Sequence, residues 1–153
     1  MAKVEEAIEV NVPVRTAYNQ WTQFEEFPKF MSSVQELQQV DDKHLHWRAK
    51  VAGQAQEWDA EITEQTPDQR VAWVNTSGPR NHGVVNFHYL DEDRTRVQVM
   101  MDVEPPAGVA GEAADSVFGL TSKSVKGDLE RFKEFIEERG SETGAWRGEV
   151  SRN

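Results

Sequence analysis

A chain of 153 residues with 17 Lys and Arg against 27 Asp and Glu carries a formal net charge of −10, which repels phosphate backbones and anionic lipid surfaces and speaks against a nucleic-acid partner. Its length suits one domain, able to bury roughly 70% of the surface its unfolded form exposes. The absence of cysteine excludes disulfides, thiolate metal sites and thiol redox chemistry.

The N-terminal Met1-Ala2-Lys3-Val4-Glu5-Glu6 reaches acidic residues at once, and no apolar run approaches the roughly 18 residues of a membrane span. The expected location is therefore the cytoplasm, without integral membrane association. Val4, Ile8, Val10 and Val12 alternate with polar residues, the period-two pattern of a strand with one buried face, ended by Pro13. From Val14 the period changes: Ala17, Tyr18, Trp21 and Phe24 stand three and four apart, and the fixed φ of Pro13 suits a first helical turn. Pro28 interrupts, and Phe24, Phe27, Phe30 and Met31 cluster around a second, short helical turn.

The middle of the chain predicts consecutive antiparallel strands over residues 34–41, 44–51, 55–65, 70–76, 83–90 and 95–103, joined by hairpins at turn-like segments such as Asp41-Asp42-Lys43 and Thr66-Pro67-Asp68-Gln69. After Pro105-Pro106, a stretch to Glu138 carries Ala114, Val117, Phe118, Thr121, Val125, Leu129, Phe132 and Ile136 at helical spacing. One long helix is expected, irregular in its early part because of Gly111, Gly119 and Gly127. The expected division is a folded domain over residues 1–140 and a polar, flexible tail over 141–153, in which Trp146 stands out.

Parity predicts which strand face is buried. With Leu45, Trp47, Ala49 and Val51 inward on one strand and Trp58, Ala60 and Ile62 inward on the next, a loop of Ala52 to Ala55 pairs 49 with 58 and 47 with 60. The outer face then sets Arg48 against Asp59, Lys50 against Glu57 and His46 against Glu61, although a slip by two residues matches opposite charges equally. Val71 and Trp73, then Val85, Phe87 and Tyr89, then Val97, Val99, Met101 and Val103 each share a face. Trp47, Trp58, Trp73 and Phe87 come from successive strands, and either ordinary core or an aromatic-lined concavity beneath the long helix accommodates them.

Chemistry-bearing motifs are sparse. His44 and His46 fall on the charged outer face, His82 in a Gly/Pro-containing loop, and His88 has the opposite parity to Phe87, so no catalytic histidine and no metal site is expected. Glu57, Asp59 and Glu61 align on one face but have basic partners across the hairpin. Arg80, Asn81, His82, Tyr89, Ser116 and Thr121 are the polar groups expected near the concavity. No phosphate-binding loop or nucleophile elbow is present, and no cofactor is expected.

Taken in order, Val12-Pro13-Val14 before a helix with Tyr18 and Trp21, the segment Phe24-Glu25-Glu26-Phe27-Pro28-Lys29-Phe30-Met31, Trp58-Asp59-Ala60-Glu61-Ile62 ahead of Pro67, Arg70-Val71-Ala72-Trp73, and Asp128-Leu129-Glu130-Arg131-Phe132-Lys133 make the chain resemble a known family. It is the polyketide cyclase/dehydrase branch of the SRPBCC superfamily, also called START-like or helix-grip proteins, and the resemblance spans about residues 3–139. It implies an α+β helix-grip fold, a seven-stranded antiparallel sheet wrapped around a long C-terminal helix, with two short helices after the first strand. It also implies ligands drawn from lipids, sterols, quinones, plant hormones and polyketides, which turns the aromatic face into the wall of a ligand cavity. The residues assigned to that wall are Phe27, Phe30, Met31, Trp47, Trp58, Trp73, Val85, Phe87, Val99, Met101, Phe118, Thr121 and Val125. Family members that act as cyclases carry charged and hydroxylic groups inside, whereas the inward positions here are expected to be apolar. The expected function is a non-catalytic carrier or sensor of a hydrophobic small-molecule or lipid ligand, compatible with a homodimer. A cyclase or dehydratase, requiring an inward acid or base, is the alternative, and a protein-docking module using the groove or the tail around Trp146 is a third reading.

Overall fold

Local alternation and the two N-terminal prolines dictate the first elements. Strand β1 (Ala2–Val10) gives way at Pro13 to α1 (Val14–Trp21), whose first internal bond runs from the Ala17 N–H to the Pro13 carbonyl at 3.1 Å, a carbonyl Pro retains although it lacks an N–H. A 3₁₀ turn over Phe24–Lys29 follows and contains Pro28. The coordinates are a computed structural model that describes residues 2–51, 54–78, 80–103 and 112–150, with side chains throughout these except at 2, 51, 54 and 112–121.

Six strands come next: β2 (Val34–Gln39), β3 (His44–Val51), β4 (Gln54–Thr66), β5 (Arg70–Asn75), β6 (Asn81–Asp91) and β7 (Arg94–Val103). They form a seven-stranded sheet in the order β1-β7-β6-β5-β4-β3-β2, antiparallel throughout. Register breaks within β2, late in β4 and late in β6 add the local twist that lets such a sheet curl. Helix α2 (Glu112–Arg139) lies in the curl, and Leu129, Phe132 and Ile136, spaced three and four apart, are buried along one stripe of it. Phe132 is the hub: its ring meets Trp21 at 5.1 Å and Phe30 at 5.2 Å between centroids.

Three expectations are corrected here. The β3–β4 hairpin pairs Trp47 with Trp58 and Ala49 with Gln56, two residues from the register read from sequence. Pairing continues to Val51 and Gln54, so the connection is shorter than the four residues assumed. Strand period is two, so the slip leaves every side chain on its expected face; it stacks the Trp47 and Trp58 indoles at 5.8 Å and 5°, and brings Arg48 opposite Glu57. Second, His82 is in strand β6, opposite Asp102, because β6 begins at Asn81 rather than at residue 83. Third, α2 is helical from Glu112 without a break at Gly119 or Gly127, while Gly111 and the residues from 104 onward that precede it lie outside the described residues.

The stretch assigned from its polarity to a flexible tail is docked over residues 141–150. Gly140, with φ of 71°, turns the chain back from the end of α2, a conformation glycine adopts without a Cβ penalty. The segment then crosses α1 and ends with Val150 exchanging both backbone hydrogen bonds with Gln65 at 2.9 and 3.0 Å. We refer to residues 141–150 as the strap.

Candidate ligand cavity

A cavity of about 420 Å³ lies between the inner face of the sheet, the α1 and 3₁₀ region, and α2. Eight residues of the sequence-assigned wall line it: Phe27, Met31, Trp47, Trp58, Trp73, Val99, Met101 and Val125. Trp21, Phe24, Val34, Leu45, Ala49, Ile62, Val71 and Leu129 complete the apolar lining. Phe30, Val85 and Phe87 do not line it but are packed in the core beside it. Parity assigned the face of Val85 and Phe87 correctly; covering groups decide the rest, since Phe87 abuts Tyr18 and Trp21 of α1 and Phe30, at the end of the 3₁₀ turn, is closed in by Phe132 and Phe135 of α2. The side chains of Phe118 and Thr121 lie outside the described residues.

Strand geometry holds the aromatic wall in place. Trp73 faces Gly83 across the β5–β6 pair, and its indole N–H donates to Asn81 Oδ1 at 3.2 Å. A Cβ added to Gly83 would lie 2.5 Å from the Trp73 ring and 2.9 Å from the Met100 carbonyl, so the indole lies across position 83 only because no side chain is there. Gly83→Ala is therefore expected to displace the indole and to destabilise the protein by about 1–3 kcal/mol, the usual cost of overpacking. Near-ultraviolet circular dichroism and a urea melt check this; an unchanged tryptophan signal at unchanged stability would contradict the packing. Trp47 Nε1 is buried without a hydrogen-bond partner among the described residues.

The lining is not wholly apolar, contrary to the sequence expectation. Ser33, Lys50, Asn81, Ser124 and Asp128 also contribute. Ser33 and Ser124 approach within 3.5 Å through their hydroxyls. Asp128 Oδ1 accepts from Arg131 Nη2 at 2.6 Å and from the Ser32 N–H at 3.3 Å. Burial raises the Asp128 carboxyl above its ordinary pKa, opposed by the Arg131 guanidinium and the Ser32 amide. A signal for this end existed in the sequence. Ser124 and Asp128 are four apart and adjacent to Val125 and Leu129, which puts them on the same flank of α2.

Other sequence candidates sit elsewhere. His46 lies on the outer face between Asp59 at 2.8 Å and Glu57 at 3.1 Å, whose carboxylates hold its pKa above the ordinary value. His44 pairs with Asp41, His88 is exposed near Gln98, Arg80 pairs with Asp102, and Tyr89 is exposed. Of the polar groups named from sequence, Asn81 reaches the cavity. Among the described residues no group of three or more His, Asp or Glu is positioned to hold a metal, and no helix is long and apolar enough to cross a membrane.

A curled antiparallel sheet closed by a long C-terminal helix over an apolar cavity defines the helix-grip, START-like class. The sequence matches the family described as polyketide cyclase/dehydrase and lipid transport over residues 10–130, and the chain belongs to that family, within the SRPBCC superfamily. It is 56% identical over 151 residues, covering 98% of this chain and 99% of the relative, to an uncharacterised 17.2 kDa protein of Streptomyces lincolnensis. Its fold is similar to that of a START superfamily protein from Mycobacterium smegmatis, with a TM-score of 0.77 at 16% identity over 90% of this chain and 98% of that one. It is also similar to the Zhui aromatase/cyclase from Streptomyces sp. R1128, with a TM-score of 0.77 at 15% identity over 95% and 99% of the two chains. At these identities the two structural likenesses bear on the fold alone.

Proposed function

We propose that this protein encloses a hydrophobic small molecule or lipid-like ligand in the cavity and releases it unchanged, as a carrier or sensor. The observation that carries the reading is a space of about 420 Å³ walled mainly by aromatic and aliphatic side chains, within the range of small-molecule sites. A concave face so lined, with only a few polar groups converging on it, suits an apolar occupant carrying a small number of polar atoms. Among the described residues the ionisable side chains of the lining are Lys50 and Asp128, and the histidines, Tyr89 and Arg80 lie outside it. The ligand is met in an aqueous compartment, which we take to be the cytoplasm, by a monomer or a homodimer.

One observation favours a second reading, a cyclase or dehydratase acting on a polyketide-like substrate. Asp128 supplies a carboxylate at the cavity beside the hydroxyls of Ser33 and Ser124, groups able to assist proton transfer. Native mass spectrometry of the purified protein, with extraction of whatever dissociates, tests the first reading. A stoichiometric apolar adduct is expected. A clean unliganded mass, together with no thermal shift from lipids, quinones or aromatic polyketides, would overturn it, and conversion of an added polyketide analogue would move the assignment to the second.

A further inference from the structure

We propose that the end of the cavity formed by Asp128, Ser33 and Ser124 recognises a neutral hydroxyl group, so that the ligand is an apolar body carrying a phenol or alcohol there and carboxylate-ended ligands are rejected. The inference rests on the cavity being a ligand site and names which chemical class it takes.

The end is built with a definite asymmetry. Both protein donors that reach Asp128, the Arg131 guanidinium and the Ser32 amide, are directed at Oδ1, while Oδ2 accepts no hydrogen bond among the described residues. Asp128 is 9% exposed and belongs to the cavity lining, so its unused acceptor can be satisfied by a donor brought in by the occupant. A ligand that displaces water from a charged acceptor must replace the hydrogen bond it breaks, and a hydroxyl can do so. A hydroxyl also has lone pairs, and the Ser33 and Ser124 side chains, which line the cavity within 3.5 Å of each other, have O–H groups able to donate to them.

Further residues hold this geometry. Arg131 is folded back along α2, its Nε donating to the Phe30 carbonyl at 2.9 Å and its Nη2 to Ser32 Oγ at 3.2 Å as well as to Asp128. That posture passes over Gly127, where an added Cβ would come within 3.2 Å of Nη1 and 3.3 Å of Nη2. Glycine inside a helix costs up to ~1 kcal/mol relative to alanine, and here its presence leaves room for the guanidinium that fixes Asp128. Arg131 is consequently committed to Asp128, Ser32 and Phe30. Lys50 belongs to the lining and its backbone N–H donates to the Ser33 carbonyl at 2.8 Å, but it is exposed and has the opposite strand parity to Trp47 and Ala49, so its solvated, screened ammonium offsets an incoming anion only weakly. A ligand carboxylate at this end would meet Asp128 as a like charge in a poorly solvated site.

Three probes sharing one ring skeleton separate the possibilities on the full chain: naphthalene, 2-naphthol and 2-naphthoate, with dissociation constants from tryptophan fluorescence titration and calorimetry. The expected order is naphthol at least about tenfold tighter than naphthalene, as for a hydrogen bond to a charged acceptor, with naphthoate the weakest. Ser124→Ala is expected to reduce the naphthol preference by a few-fold, and Asp128→Asn to bring naphthol and naphthoate within about threefold of each other. Thermal melts of both variants verify folding, and near-ultraviolet circular dichroism verifies that the packing of the aromatic wall is intact. Naphthol binding no better than naphthalene, or naphthoate binding best, would overturn the hydroxyl assignment while leaving the apolar cavity standing. If none of the three binds and native mass spectrometry finds no adduct, the cavity reading itself fails and this inference goes with it.

Discussion

Replacing Phe132 by alanine is expected to remove about 3–5 kcal/mol of folding stability, the range for deleting a fully packed aromatic side chain. Phe132 is 0% exposed, and its ring sits edge-on to Trp21 and Phe30 at 5.1 and 5.2 Å; Trp21 in turn touches Phe27 and Phe87. The substitution therefore opens a hole where α1, the 3₁₀ turn and α2 meet, and no neighbour can collapse into it without giving up another ring contact. Against a total of 5–15 kcal/mol for a typical domain, the loss is a large fraction. Val125→Ala gives the contrast. Val125 is half-buried on the same helix but lines the cavity, so methyl groups removed there already face open space and the cost is expected at about 1 kcal/mol or less. Urea melts of the two variants measure both. Equal losses would mean that the Val125 wall is packed core and that the space beside it is closed.

Much of this arrangement was legible because period and parity are local. The order of one strand, two short helical segments, six strands and a long helix follows from where the hydrophobic period switches, and the inward set of Trp47, Trp58 and Trp73 follows from alternation alone. What alternation cannot give is position along a strand. A slip of two residues changes no side chain's face, so the β3–β4 register was decided by the Trp47–Trp58 stack and the shorter connection, neither of which charge pairing could distinguish. The same blindness to depth explains Phe87. It shares a face with Val85, Val99 and Met101, but α1 covers its end of the sheet, turning an expected wall residue into core. The polar end was missed for a different reason. In sequence Asp128 reads as one more charge on a helix rich in them, and only the fold brings Ser32 and Ser33, nearly a hundred residues earlier, beside it. The strap was misread because its polarity resembles that of a solvated tail, although its partners are buried polar groups distant in sequence.

Truncation after Gly140 is the second large effect, with an expected loss of about 2–4 kcal/mol, estimated from burial of an aliphatic side chain and one charge-assisted pair. Val150 is 5% exposed and belongs to the core, and Trp146 packs against it from the same segment. Arg147 ties three elements together: Nη2 pairs with Asp68 Oδ2 at 2.7 Å, Nη1 donates to Asn19 Oδ1 at 2.7 Å, and the guanidinium lies 5.6 Å from the centre of the Tyr18 ring. Gln20, itself 0% exposed, exchanges hydrogen bonds with Thr143 through both ends of its amide, while Thr22 Oγ1 accepts from the Trp146 N–H. Since α1 and the 3₁₀ turn carry Trp21, Phe24 and Phe27 of the cavity wall, the loss is expected to be local as well as global. Amide hydrogen exchange across residues 19–31 should accelerate more than in β6 and β7, whose pairing the strap does not touch. Arg147→Ala is expected to reproduce part of the effect, about 1–2 kcal/mol. Unchanged melting and unchanged exchange on truncation would mean that the strap is not held on α1 in solution. A large global loss with uniform acceleration would mean that Val150 stabilises the sheet as a whole rather than steadying the aromatic wall through α1.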